Sequence, residues 1–111
     1  MNFTKVGDGF AVAGQIGRED VEAIASSGFR SLICNRPDTE DGAVAHEMIR
    51  AIAEARGMEF HYIPVSHQTG ITQTNVVDTA RVLALAPKPV LAYCRSGARS
   101  ANLYNIARQS F

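Results

Sequence analysis

The sequence is poor in the residues from which several classes of protein are built. It has no tryptophan, four prolines and only two cysteines, Cys34 and Cys94, among 111 residues. Two cysteines exclude a disulfide-rich secreted scaffold, and a hydrophobic content of 46% excludes a disordered chain. No apolar run approaches the roughly 20 residues that a membrane-spanning helix needs, and no export signal opens the chain. We therefore expect a single soluble domain over residues 1–111, located in the cytoplasm, with no membrane partner.

An excess of charge of one sign is also missing. Eleven Lys and Arg balance eleven Asp and Glu, which argues against a nucleic-acid partner and against binding to an anionic membrane surface. The charges are unevenly placed, however. Residues 90–111 contain three arginines and no acid, whereas residues 38–59 contain six acids. An anionic ligand is therefore expected to bind near the C-terminal part of the chain.

Short apolar runs alternate with helical patterns along the chain. This alternation predicts an α/β domain with a mainly parallel central sheet of about four strands, an N-terminal hairpin and flanking helices. The hairpin turns at Gly7-Asp8-Gly9, further strands are predicted at 31–35, 59–65 and 90–93, and helices at 19–26, 43–56, from 72 to before 87, and from 100 onward. The helical period buries Val44, Met48, Ile52 and Ala55 in the second helix, and Val76, Val77, Ala80, Leu83 and Ala84 in the third.

Ligands of such sheets bind beyond the carboxyl ends of the strands, and Cys94 lies there. It follows a buried strand and precedes a helix, so the backbone N–H groups of residues 95–100 can form an anion cradle with the helix dipole. The same environment lowers the pKa of a cysteine to about 3.5–7.5. Cys94 is therefore predicted to be a nucleophile. The predicted substrate-binding residues around it are Arg95, Ser96, Gly97, Ala98 and Ser100, with Arg99 as the catalytic arginine.

Cys34 lies within an apolar strand and is expected to be a core residue. A protective disulfide with Cys94 is the alternative, since parallel strand ends can bring the two close. The loop at 36–41 is expected to face the site, with Asp38 or Glu40 pairing an arginine of the Cys94 loop to hold it in place. No cluster of cysteine and histidine has the spacing of metal ligands, so neither a metal nor a cofactor is expected.

The segment 93–100, Tyr-Cys-Arg-Ser-Gly-Ala-Arg-Ser, resembles the active loop of dual-specificity cysteine phosphatases and equally that of rhodanese sulfurtransferases. Together with residues 28–40 and 62–65, it resembles the phosphatase-like domain family of the beta-lactamase hydrolase-like proteins over nearly the whole chain. That resemblance implies a cysteine-phosphatase-like fold of the dual-specificity type. It also carries family positions onto Arg36, Pro37, Asp38 and Glu40, and it implies a function that has been argued both as phosphatase and as sulfurtransferase.

Two details favour sulfur transfer. Four residues separate Cys94 from Arg99, whereas the phosphatase loop has five, so that Ser100 occupies the position of the phosphatase arginine. A phosphatase also needs a general acid for alkyl esters, and the loop at 65–71 has no carboxylate; His67 is the one candidate substitute. The expected reaction moves sulfur from thiosulfate or a persulfide, through a Cys94 persulfide, to cyanide or a thiol acceptor. The alternatives are a phosphatase acting on aryl phosphates through a Cys94 phosphocysteine, and a non-catalytic module that binds an anion or a phosphorylated partner.

Overall fold

The computed structural model describes residues 2–110. Within them, short strands alternate with helices in the order that the sequence predicts. The strands are β1 (Thr4–Gly7), β2 (Phe10–Ala13), β3 (Ser31–Cys34), β4 (Glu59–Tyr62) and β5 (Val90–Tyr93). The helices are α1 (Arg18–Ser26), α2 (His46–Ala55), α3 (Gln73–Leu85) and α4 (Ala98–Ser110).

The strands form one sheet in the order β1-β2-β5-β3-β4. β2, β5, β3 and β4 run parallel, and β1 pairs with β2 in the antiparallel direction. The predicted α/β class and its mainly parallel sheet are confirmed. The second hairpin strand is itself one of the four parallel strands, so the hairpin is part of the sheet rather than an addition to it.

Helices cover both faces of the sheet because alternate residues of each strand point to opposite sides. Leu32 and Leu91 pack with α1 and α2 on one face, whereas Ile33 and Ala92 pack with α3 and α4 on the other. Because β2, β5, β3 and β4 run parallel, their carboxyl ends lie at one edge of the sheet, with β5 between β2 and β3. The segments that leave these strands, beginning at residues 14, 94, 35 and 63, meet at that edge.

The start and the buried face of the second helix differ from the prediction. The helix begins at His46 rather than at residue 43, because Asp38 accepts a hydrogen bond from the His46 backbone N–H (2.9 Å) and so satisfies a donor of the first turn. Its buried residues are Ile49, Ile52 and Ala53, whereas Met48 is 44% exposed. The later start and the packing against α1 and β4 decide which side faces the core.

The buried face of the third helix was predicted only in part, since Val76 and Leu83 pack against the core as expected. Asn75, Thr79 and Val82 are its buried residues, whereas Val77 and Ala84 are exposed. Asn75 is buried because its side chain closes the helix start: it donates to Pro64 O (3.0 Å) and accepts from the backbone N–H of Thr72 (2.9 Å). Because Asn75 caps the helix, this polar residue is buried at a position that the hydrophobic pattern assigns to the solvent-exposed side.

Candidate active site

Cys94 directly follows β5 at the middle of the sheet edge. It is buried, with 1% of its surface exposed, and its backbone N–H donates to Ala13 O at the end of β2 (3.3 Å). α4 begins at Ala98, two residues earlier than predicted, so the loop between strand and helix is short. The thiol is therefore held at the N-terminal end of a helix of 13 residues.

The loop places hydrogen-bond donors around the Cys94 sulfur. The Gly97 N–H donates to Cys94 Sγ at 3.1 Å. Burial opposes ionisation of this thiol, but hydrogen bonds from Ser100, through its backbone and its hydroxyl, and from the N–H groups of Ser96 and Gly97 hold the pKa of Cys94 below its ordinary value. The Ser100 hydroxyl is buried and has no partner of regular hydrogen-bond geometry within residues 2–110, so it is free to turn to the sulfur. This arrangement stabilises a thiolate.

Two glycines make the short loop sterically feasible. Gly97 has φ +95°, a conformation that favours glycine, and a Cβ there would lie 3.4 Å from the Ala13 carbonyl. Gly14 lies so close to the loop that its Cβ would be 2.9 Å from the carbonyl oxygen of Arg95. That same oxygen accepts from the Gln15 N–H at 3.2 Å. The residues after β2 therefore support the Cys94 loop, a role that nothing in the sequence indicated.

Arg99 makes a two-point ion pair with Glu40. Arg99 Nη1 donates to Glu40 Oε2 (2.6 Å) and Nη2 donates to Glu40 Oε1 (2.9 Å), while Nη1 also donates to Val65 O (2.8 Å). The pair raises the pKa of Arg99, with a further contribution from the neighbouring Cys94 thiolate. Of the two acids that the sequence offered for this role, Glu40 is the one that pairs with the loop arginine.

A second arginine holds Glu40 from the other side. Arg36 is only 5% exposed, and its Nε donates to Glu40 Oε1 at 3.1 Å. Its remaining donors bind Gln15 Oε1 (3.0 Å) and the backbone oxygens of Asp41 (2.6 Å) and Gly42 (3.5 Å). The hydrogen bonds from the two arginines outweigh burial and lower the pKa of Glu40. The sequence places Arg36 in the loop that is predicted to face the site. Its burial, and its connection to Arg99 through Glu40, depend on the tertiary fold.

Asp38 does not pair with an arginine of the Cys94 loop, contrary to the alternative left open for it. Its carboxylate faces α2 and contacts His46 Nδ1 (2.7 Å) as well as the His46 backbone N–H. The His46 ring stacks on Tyr62 with centroids 3.6 Å apart, and the Tyr62 hydroxyl accepts from the Asp38 N–H (3.2 Å). Asp38 therefore fixes the end of its own loop to α2.

The segment after β4 lines the opposite side of the site. Val65 supplies the carbonyl that binds Arg99, and Ser66 and Thr69 close a turn through their hydroxyls (3.0 Å). His67 is exposed on this turn, near enough that its charge contributes to lowering the pKa of Glu40. Three of the predicted loop residues are exposed at the protein surface: Arg95, Ser96 and Ala98. Gly97 and Ser100 are buried beside the Cys94 sulfur.

Cys34 is a free thiol, as is Cys94. Cys34 lies opposite Tyr93 in the sheet register and belongs to the core beneath α1 and α2, where its Sγ donates to Arg36 O (3.3 Å). Burial raises its pKa, so it stays a thiol at neutral pH. The register places Tyr93, and not Cys94, next to it. The two cysteines are therefore not joined as the alternative of a protective disulfide requires.

Among residues 2–110, no three His, Cys, Asp or Glu side chains come together in a way that could hold a metal ion. None of the helices described is both long enough and apolar enough to cross a membrane.

A buried cysteine at the carboxyl end of a central parallel strand, in a loop of amides that opens a helix, defines a cysteine-phosphatase-like domain. The chain belongs to the family described as beta-lactamase hydrolase-like protein, phosphatase-like domain, whose model matches residues 2–110. The resemblance noted in residues 28–40, 62–65 and 93–100 is thereby confirmed. The sulfur-transfer interpretation is not confirmed, because the relatives fit the phosphatase alternative better.

Relatives by sequence include beta-lactamase hydrolase-like proteins of Agrobacterium fabrum, 33% identical over 105 residues, and of Xylella fastidiosa, 29% identical over 108 residues. These matches cover 94% and 96% of this chain but only 24% and 25% of the relatives, so the chain spans about a quarter of their length. The structure of a proposed phosphatase from Neisseria meningitidis Z2491 is 31% identical, with a TM-score of 0.83 over 97% of this chain and 78% of that one.

The catalytic core of the PP-IP phosphatase SIW14 from S. cerevisiae superposes with a TM-score of 0.74 over 98% of this chain and 65% of that one. Its sequence identity is 16%, so it shows a shared fold and no more. The phosphatase-like architecture therefore extends to proteins of quite different sequence.

Proposed function

We propose that the protein is a cysteine-dependent phosphatase for substrates whose leaving group needs no protonation, such as aryl phosphates. The observation that supports this most directly is the Cys94 thiol, whose pKa is lowered by the groups that donate to it within the short loop before α4. The phosphatase-like family and the solved relative that is 31% identical point in the same direction.

The reaction proceeds in two steps. The Cys94 thiolate attacks phosphorus, an S–P bond forms, and the bond between phosphorus and the ester oxygen breaks as the phenolate departs. Water then attacks the phosphocysteine, releasing inorganic phosphate and returning the thiolate. Loop amides and the Arg99 guanidinium stabilise the phosphoryl oxygens in both steps.

The surroundings of the site set the limit on the leaving group. Residues 65–71 carry no carboxylate. Glu40 is the acid beside Arg99, but its lowered pKa and its two arginine partners keep it ionised, so it has no proton to give at neutral pH. An alkyl ester would thus lack a carboxylic general acid, a group that accelerates such cleavage by about 10²- to 10⁴-fold, and His67 on the exposed turn is the one candidate substitute. Phenolates leave more readily as anions.

Parallel assays of wild type and Cys94→Ser on p-nitrophenyl phosphate and on an alkyl phosphate test this proposal. We expect the wild type to hydrolyse the aryl ester and to act far more slowly on the alkyl ester. It should also form a phosphoenzyme that can be trapped and that Cys94→Ser cannot form. Equal rates on both esters would contradict the argument about the leaving group. No hydrolysis by the wild type would reject the phosphatase assignment.

Sulfur transfer is the second candidate. Four residues lie between Cys94 and Arg99, one fewer than in the phosphatase loop, which makes a tighter anion cradle. Here the thiolate attacks the outer sulfur of thiosulfate, a new S–S bond forms, and sulfite departs with the electron pair of the broken bond. Cyanide or a thiol then takes the sulfur from the Cys94 persulfide. A mass gain of one sulfur atom on wild type, absent from Cys94→Ser, would favour this route. Anion binding that survives Cys94→Ser, with no turnover in either assay, would indicate a binding module.

A further inference from the structure

β4 is an edge strand with one unpaired side. Within residues 2–110, it pairs only with β3, in the parallel direction. The N–H groups of Glu59 and Ile63 donate to carbonyl groups just before β3 and at its end, at 3.1 and 2.9 Å. Because the backbone groups of successive residues alternate between the two sides of a strand, the N–H and C=O groups of Phe60 and Tyr62 face outward. An edge of this kind can pair with a strand of another chain.

α3 lies beside this open edge. A groove of about 410 Å³ runs between the helix and β4. The α3 residues that line it are Asp78, Arg81, Val82 and Leu85, whose spacing places them on one side of the helix. Leu85 is 77% exposed, the highest value among the large hydrophobic side chains described. The groove therefore adjoins both an unpaired strand and an apolar side chain in contact with water.

α3 also has a second apolar side, away from the core. Val77, Ala80 and Ala84 line a surface groove together with Arg81. The hydrophobic period predicts that these three apolar residues are buried, but Val77 and Ala84 are exposed in the single chain. A helix that is apolar on two sides is typically buried on both. Residues 59–63, with residues 77, 78, 81, 84 and 85, are called the β4–α3 surface below.

The charges of the β4–α3 surface complement a reversed copy of the same surface. Asp78 and Arg81 have 43% and 67% of their side chains exposed, and their charged groups are 3.9 Å apart. Because α3 connects two parallel strands, it runs antiparallel to β4. A twofold axis perpendicular to the sheet reverses both elements together, so it brings the acid of one copy to the base of the other. A surface with charges of one sign would repel its own copy instead.

We propose that the β4–α3 surface is the interface of a symmetric dimer, in which β4 pairs in the antiparallel direction with β4 of a second copy. An axis at His61 makes Phe60 and Tyr62 of one copy bond to Tyr62 and Phe60 of the other, which satisfies every outward N–H of both strands. An axis at Phe60 would instead pair Tyr62 with Met58, whose N–H already donates to Ala53 O at 3.0 Å.

The same axis joins the two five-stranded sheets into one. It brings the two α3 helices together on one face of that sheet, where Asp78 of each copy pairs with Arg81 of the other and Leu85 is covered. The apolar residues of α3 that are exposed in the single chain thereby become buried. The dimer goes beyond the proposed function and does not depend on the reaction at Cys94.

Association and its location can be measured on the wild-type protein. Sedimentation velocity over a range of concentrations should show a monomer that converts to a dimer. Backbone hydrogen exchange should slow at Phe60 and Tyr62 as the dimer forms, while the amides of β1, the other edge strand, keep their rates. A chain that stays monomeric up to about 1 mM would overturn the proposal. Protection at β1 in place of β4 would overturn it as well.

Charge reversal tests the pairing of α3 with its copy. Asp78→Arg leaves two positive charges on the surface and Arg81→Asp leaves two negative ones, so each variant alone should associate about tenfold more weakly. An equimolar mixture of the two should regain the wild-type affinity, because opposite charges then face each other. Glu19→Arg, which reverses an exposed acid on α1, should associate like the wild type. Mixing that restores nothing would overturn the proposal.

The apolar part of the surface is tested by a matched pair of substitutions. Leu85→Ser should weaken association by about a hundredfold, because each dimer loses two buried leucine side chains. Ile106→Ser removes an exposed side chain of α4, outside the β4–α3 surface, and should leave association unchanged. Both positions are exposed, so both variants should fold. Wild-type association in Leu85→Ser, or an equal loss in Ile106→Ser, would overturn the proposal.

Discussion

Replacing Gly97 with alanine tests whether the backbone of the short loop creates the reactive thiol. Gly97 has φ +95°, and the new Cβ would lie 3.4 Å from the carbonyl carbon and oxygen of Ala13. A non-glycine residue in a left-handed conformation costs about 1–2 kcal/mol. For a domain of this size, that corresponds to a fall in Tm of about 4–9 °C. The Gly97 N–H also donates to Cys94 Sγ, so any shift of the loop weakens the stabilisation of the thiolate.

Gly28 provides a matched control for this substitution. Its φ is nearly the same, +96°, but a Cβ there would meet no atom within 4 Å. It lies between α1 and β3, at the opposite edge of the sheet from Cys94. Gly28→Ala should therefore cost similar stability and leave the thiol unaffected.

The assay combines thermal unfolding with the rate of Cys94 alkylation by iodoacetamide, measured by mass spectrometry across a range of pH. Both variants should unfold at lower temperature than the wild type, and only Gly97→Ala should raise the pKa of Cys94. If Gly97→Ala is as stable as the wild type, the conformational argument is wrong. If the two variants show the same alkylation profile as the wild type, the loop geometry does not control the thiol.

Three further predictions concern the neighbours of the loop. Ser100→Ala removes a donor to Cys94, so alkylation at a pH below the pKa of the thiol should slow by about tenfold; an unchanged rate would exclude the hydroxyl as a donor. Gly14→Ala places a Cβ 2.9 Å from a loop carbonyl and should cost about 1–3 kcal/mol in chemical denaturation; unchanged stability would contradict the close approach. Because the pKa of Glu40 is lowered in the folded state, its carboxylate stabilises the fold above the ordinary value of 4.5, and this contribution disappears as the pH falls through the lowered pKa. The unfolding free energy of Glu40→Gln should thus be below that of wild type at neutral pH and approach it in acid; a difference independent of pH would contradict this.

Much of the fold follows from local sequence features. Asp8 and Gly9 form the predicted hairpin turn, with Gly9 at φ +70°, and the short apolar runs pair as parallel strands because helices of crossover length connect them. Helix faces were less predictable. Met48 fits the hydrophobic period of α2 but is exposed, because Ile49, Ile52 and Ala53 form the side that packs against α1 and β4. A periodic pattern holds no information about contacts of that kind.

The sequence by itself determined that Cys94 stands between a buried strand and a helix, with Gly97 and two arginines in the intervening loop and helix start. Those residues lie close together in the chain, so their effect on the Cys94 thiol can be predicted from the local sequence. Only the tertiary structure decided which acid holds Arg99, since Glu40 lies 59 residues away. Only the fold, too, brings Gly14 and Gln15 under the loop. Those contacts exist because parallel strands end at one edge of the sheet, where segments distant in sequence meet.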